Sequence, residues 1–148
     1  MFLTITSFSI VAAEKEMPNL AEKGNANAGS NLVATCAACH GSDGNSVNSD
    51  WPKLAGQNQK YIYDQLKLFQ SGDRQNALMM AVTPYLNTLK DEDLLDIAAF
   101  YESNTTSVGQ AKDDEDLLKL GMSLYRGGNL KKGIAACTAC HSVYGNEI

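Results

Sequence analysis

The sequence predicts an all-α protein built from two related units in tandem. Three observations lead there. Apolar residues recur at helical spacing in several segments, and no segment alternates with the period of two that a half-buried strand needs. Thr35-Cys36-Ala37-Ala38-Cys39-His40 also returns as Ala136-Cys137-Thr138-Ala139-Cys140-His141, 101 positions later. The 148 residues leave room for one ordinary domain or two very small ones, and 44% hydrophobic with 20% charged residues is the usage of a folded soluble chain. A net charge of −5, with no face of clustered Lys and Arg, excludes nucleic acid as the main partner.

The elements follow in chain order. Met1 to Ala13 (MFLTITSFSIVAA) is too short and too rich in hydroxyls to span a membrane, which takes about 20 apolar residues. It has the character of a secretory leader: small residues at Val11-Ala12-Ala13 suit cleavage after Ala13, and Glu14-Lys15-Glu16 opens a polar mature chain. No Lys or Arg precedes the apolar stretch, which is compatible with a start codon further upstream. Gly29 to Val33 is a short helical lead-in to the first cysteine motif. Tyr61, Ile62, Leu66 and Phe69 form the apolar face of a helix that ends near Ser71-Gly72. Asp91 to Glu102 gives another, with Leu94, Leu95, Ile97, Ala98, Phe100 and Tyr101 on the buried side and three acidic residues in the first turn, where the helix dipole favours them. Ser103 to Gln110 is a polar linker, and Asp113 to Asp116 opens the next helix, which runs through Gly121-Met122-Ser123-Leu124-Tyr125 to the second motif. The expected organisation is a leader at 1–13, a first domain at 14–107 and a second unit from 108 to 148.

Two cysteines at i and i+3 with a histidine at i+4 share about one helical turn. Their thiols can form thioethers with the two vinyl groups of one haem, and the adjacent imidazole is then placed to ligate the iron. Cys36, Cys39 and His40 are one such set, and Cys137, Cys140 and His141 the other; together they use every cysteine and histidine in the chain. One structural zinc held by four cysteines leaves both histidines unexplained, as does a pair of strained disulfides. Export would put the chain in an oxidising compartment where cysteines ordinarily pair, but the motif spacing points to haem. A second axial ligand for the first iron can come from Met79 or Met80, 39 and 40 residues after His40. Met80 is preferred and Met79 is the alternative. Pro52, 12 residues after His40, is suited to accept a hydrogen bond from the other imidazole nitrogen, since it offers a rigid carbonyl and no N–H.

In order along the chain, CAACHGSDGNS, WPKLAGQ, YIYDQLKLFQSGDR, the methionine pair, LKDEDLLDIAAFY, GMSLYRGG and GIAACTACH resemble the dihaem cytochrome c4 family of bacterial periplasmic electron carriers. The resemblance implies the class I cytochrome c fold, with one complete domain and the N-terminal part of a second. It implies two covalently bound haem c groups, with Cys36 and Cys39 binding the first, His40 its proximal ligand, Pro52 orienting His40 and one residue of the Met79-Met80 pair distal. Cys137, Cys140 and His141 match the second site. Seven residues follow His141, so a second distal methionine and closing helix are not in the sequence, and the chain is expected to be a fragment whose remainder supplies them.

The implied function is single-electron transfer in the periplasm between redox proteins such as a quinol-oxidising complex and a terminal oxidase. The alternative is a cytochrome subunit or domain of a periplasmic oxidoreductase. There is no third histidine and no Gly-rich phosphate loop, so no catalytic constellation is in view and the chain reads as an electron carrier rather than an enzyme. No segment is long enough to span a membrane, while a peripheral seat on the membrane surface is compatible with the sequence.

Overall fold

Helices and the loops that pin them together make up nearly all of the computed structural model, which describes residues 23–109 and 113–143. The expected leader at 1–13 lies outside the described residues. The chain divides into two compact units, Met1–Ser107 and Val108–Ile148. Among the described residues there is no β-strand, only an isolated bridge between Asn129 and Ile134.

The first unit begins with α1 (Ala26–Ser30), whose N-terminus is capped by the Asn25 side chain accepting from the N–H groups of Asn27 and Ala28 at 3.0 and 3.2 Å. This short helix lies directly on α5 (Asp91–Ser103). A Cβ on Gly29 would stand 2.0 Å from the Asp96 carbonyl oxygen, so only glycine lets the two backbones approach this closely. The Asn25 N–H donates to Asp96 Oδ1 at 2.6 Å and fixes the register.

Helix α2 (Ala34–His40) carries the first cysteine motif and stops at Gly41, whose φ of +83° turns the chain away. A loop then leads to α3 (Gln59–Ser71), capped by Asn58 and ended by left-handed Gly72. Helix α3 buries Ile62, Tyr63, Leu66 and Phe69. Tyr61, on the expected face, is 50% exposed where it lines a cavity beside Ile62 and Leu66, and Tyr63 is buried in the core. A 3₁₀ turn, Met79–Val82, runs straight into α4 (Thr83–Leu86). The Gln70 amide holds this corner to α3 by donating to the carbonyls of Leu86 and Leu89 at 2.8 and 3.1 Å.

In α5 the Asp93 carboxylate accepts from the Lys90 N–H at 2.8 Å and closes the first turn. Leu94, Ile97, Ala98 and Tyr101 are at most 1% exposed and join Leu86, Leu66, Ile62 and Val33 in a single core. Leu95 and Phe100 pack at its margin, and Ala99 is buried in their stead.

The second unit holds α6 (Glu115–Gly127), capped by the Asp114 side chain, and α7 (Thr138–His141). The turn between them is built on two glycines of positive φ, Gly128 at +65° and Gly133 at +69°. None of its described residues is buried.

Candidate functional site

Helix α2 is the reason the first motif converges: at its spacing Cys36, Cys39 and His40 fall within about one turn. All three line a cavity of about 290 Å³ inside the first unit. Helix α3 contributes Ile62, Leu66 and Phe69 to the wall, and Leu54, Leu86, Ile97 and Tyr101 contribute from the loop, α4 and α5. The lining is therefore largely apolar, which is the surrounding a flat aromatic macrocycle requires.

His40 is 5% exposed, and its Nδ1 lies 2.8 Å from the Pro52 carbonyl oxygen. A carbonyl only accepts, so Nδ1 carries the proton and donates, and Nε2 keeps the lone pair that ligates a metal. Cys36 is buried and Cys39 exposed, which places one thiol deep and one at the rim. Burial pushes the Cys36 thiol above its ordinary range, and the Tyr101 hydroxyl beside it partly offsets the effect.

The methionine pair divides cleanly. Met79 lines the cavity and packs on the core, whereas Met80 is 57% exposed and lies outside the lining. Of the two candidates, Met80 preferred and Met79 its alternative in the sequence, it is Met79 that lies at the cavity. The Asn76 side chain accepts from the N–H groups of Leu78 and Met79 at 3.0 and 3.1 Å and sets the phase of the turn. In a 3₁₀ turn residues i and i+3 eclipse, so Met79 and Val82 face the cavity together while Met80 turns outward.

Cys137, Cys140 and His141 share the start and body of α7, and all three are exposed. The Tyr125 hydroxyl ties the end of α6 to this turn by donating to the Ser142 carbonyl at 2.8 Å.

Two features carry no signal in the sequence pattern. One is Tyr101, whose aromatic ring reads simply as core. The other is the segment following α5, which the sequence presents as a polar linker. Its residues are bound onto the loop around Pro52: Ser107 N–H donates to Asn45 Oδ1 at 2.7 Å, Asn45 Nδ2 donates to the Thr105 carbonyl at 3.0 Å, and Lys53 Nζ donates to the Ser107 carbonyl at 2.9 Å. The Thr106 hydroxyl also donates to the Ala55 carbonyl.

A family model for cytochrome c matches residues 26–105. Among curated relatives, cytochrome c4 of Pseudomonas aeruginosa is 44% identical over 122 residues, covering 82% of this chain and 58% of that protein. Cytochrome c-554(548) of Halomonas halodenitrificans is 40% identical over 80 residues, covering 54% of this chain and 96% of that protein. In structure, reduced recombinant cytochrome c4 from Pseudomonas stutzeri superposes with a TM-score of 0.76 at 43% identity, covering 84% of this chain and 68% of that one. The chain spans less than two thirds of the length of the curated cytochrome c4 relatives it matches, 58% in the Pseudomonas aeruginosa case.

Proposed function

The chain belongs to the cytochrome c family, within its cytochrome c4 group, whose cofactor is covalently bound haem c, and on that premise we propose that it carries single electrons between redox proteins in the periplasm. When bound, haem c supplies an iron that accepts and releases one electron. The remaining work falls to the chain. Cys36 and Cys39 hold the group by thioethers, His40 ligates through Nε2, and the Pro52 carbonyl fixes the tautomer and the ring orientation of His40. Met79 would supply the second protein ligand to the iron, and its thioether would favour the ferrous state and raise the potential. The apolar wall keeps water from the site, which also favours the less charged iron. Cys137, Cys140 and His141 hold a second haem c.

The observation that carries this reading is one cavity lined by Cys36, Cys39, His40 and Met79, with His40 held to Pro52 at 2.8 Å. Periplasmic export is supported by the leader-like residues 1–13. Among the described residues no helix is long and apolar enough to cross a membrane. A quinol-oxidising complex as donor and a terminal oxidase as acceptor fit such a carrier.

The test is the intact mass of the chain after export in a host with haem-attachment machinery and denaturing extraction. The expected mass is that of the polypeptide plus two haem groups, and replacing Cys36 and Cys39 by serine removes the one in the first unit. Apoprotein mass, under conditions where a control cytochrome matures, overturns the reading.

A further inference from the structure

Three buried polar side-chain atoms among the described residues have no hydrogen-bond partner: the hydroxyls of Tyr63 and Tyr101 and the Asn104 Nδ2. Of these residues only Tyr101 lines the cavity. A buried donor left unpaired is costly, and one in the wall of a ligand site points to an acceptor that the ligand brings.

Tyr101 is held without freedom to turn away. It is 1% exposed, and a Cβ on Gly44 would meet its ring at 2.7 Å, so the loop backbone is pressed against it. Phe100 stands edge-on with ring centroids 5.2 Å apart, and the Tyr101 carbonyl accepts from the Gly56 N–H at 2.8 Å. Cys36 lines the same cavity and belongs to the same core cluster, and its sulfur and the Tyr101 hydroxyl are near enough for each to affect the other's protonation, although the pair falls short of hydrogen-bond geometry. Burial and the adjacent sulfur push the Tyr101 hydroxyl far above its ordinary range, so it keeps its proton and acts as a donor.

Haem attachment changes what Cys36 can do. The thiol S–H adds across a vinyl double bond: the S–C bond forms, the proton ends on the neighbouring vinyl carbon, and no electrons are gained or lost. The sulfur thereby gives up its only proton and becomes an acceptor alone, the partner a fixed donor needs. The propionates lie at the opposite edge of the macrocycle from the vinyl positions, so a hydroxyl beside Cys36 faces the thioether edge.

We propose that the Tyr101 hydroxyl donates a hydrogen bond to the Cys36 thioether sulfur in the haem-bearing protein, and that Tyr101 is a positioning residue that raises the potential of the first haem. This rests on the proposed attachment at Cys36. A donor on that sulfur draws electron density from the macrocycle and favours ferrous iron, as hydrogen bonding near a redox centre does generally.

The experiment compares the full haem-bearing chain with its Tyr101→Phe variant, which keeps the ring and removes one oxygen. The expected result is unchanged intact mass, a lower midpoint potential for the first haem, a shifted carbon–sulfur stretching band in resonance Raman spectra and a lower denaturation midpoint. The wild type gives a second test without any variant, since exchange into heavy water shifts the same band. An unmoved potential and band, with a denaturation midpoint equal to or above that of the wild type, overturn the proposal, because removing an unpaired buried hydroxyl costs nothing. A wild-type chain with no haem mass overturns the cytochrome reading itself and is told apart by that measurement.

Discussion

The same five-residue pattern of two cysteines and a histidine occurs in both units and meets opposite surroundings. In the first, Cys36 and His40 are 9% and 5% exposed, and the motif occupies a seven-residue helix against a cavity. In the second, Cys137 precedes and Cys140 and His141 lie on a four-residue helix, all three exposed, and no described residue of the unit is buried. The pattern thus specifies attachment chemistry, while the enclosure comes from residues far along the chain. Pro52, Met79 and α5 do that in the first unit, and the described residues of the second hold no counterpart to them.

The largest expected effect separates the methionines of the two units. Met79→Ala should abolish the weak near-infrared band of a Met-to-iron bond and lower the potential of the first haem by on the order of 0.2 V, part of the ~0.8 V span that axial ligation covers. Met122→Ala, on the 53% exposed Met122 of α6, should leave both unchanged, and so should Met80→Ala. Near-infrared absorption and a spectroelectrochemical titration measure this. Loss of the band in the Met80 variant alone would return the assignment to that residue.

These variants also mark where the sequence runs out. Helices α3 and α5 are legible because a 13-residue amphipathic segment repeats its period several times and averages out local error. Cys36, Cys39 and His40 are legible as a cluster because helical spacing alone brings them together. The inward methionine is not, since adjacent residues in a four-residue turn differ only by phase, and the Asn76 side chain sets that phase through bonds to the backbone. The segment 104–107 is polar and looks like a free linker. Its attachment depends on Asn45, Lys53 and Ala55, some 50 to 60 residues earlier, and no local pattern reports such pairings.

Glycine replacement turns the comparison into a change of sign. Gly29 and Gly121 occupy matching places in the lead-ins to the two motifs, yet a Cβ on Gly29 would strike the Asp96 backbone at 2.0 Å while one on Gly121 meets nothing within 4 Å. Gly29→Ala should therefore destabilise the first unit by roughly 1–3 kcal/mol, the usual cost of forcing a methyl into a filled space, or more because the obstacle is backbone. Gly121→Ala should stabilise α6 by roughly 0.5–1 kcal/mol, the helix-interior difference between the two residues. Denaturant unfolding, followed at a haem band for the first unit and by far-ultraviolet circular dichroism for α6, reads both. A loss of stability from Gly121→Ala would show that another surface packs on that glycine in solution.

The smallest effect concerns charge, and it again divides by burial. Lys67 and Asp91 pair at 2.5 Å between α3 and the start of α5, with side chains 27% and 44% exposed, and Lys67 also donates to Gln70 at 3.1 Å. Lys119 and Glu115 pair at 2.8 Å along α6, with side chains 69% and 81% exposed. An exposed pair within one helix gains little, since water and salt screen it and two long side chains lose freedom to form it. The Lys67 pair joins elements distant in sequence and is better sheltered, so Lys67→Met should cost roughly 0.5–1 kcal/mol at low ionic strength, at the upper end for surface pairs. That loss should shrink in 1 M salt, where the screening length falls to about 3 Å. Lys119→Met should change neither the midpoint nor its salt dependence measurably. Equal costs in the two units would mean that tertiary linkage contributes nothing to the Lys67 pair, and the contrast between an enclosed and an open unit would then stop at the cavity.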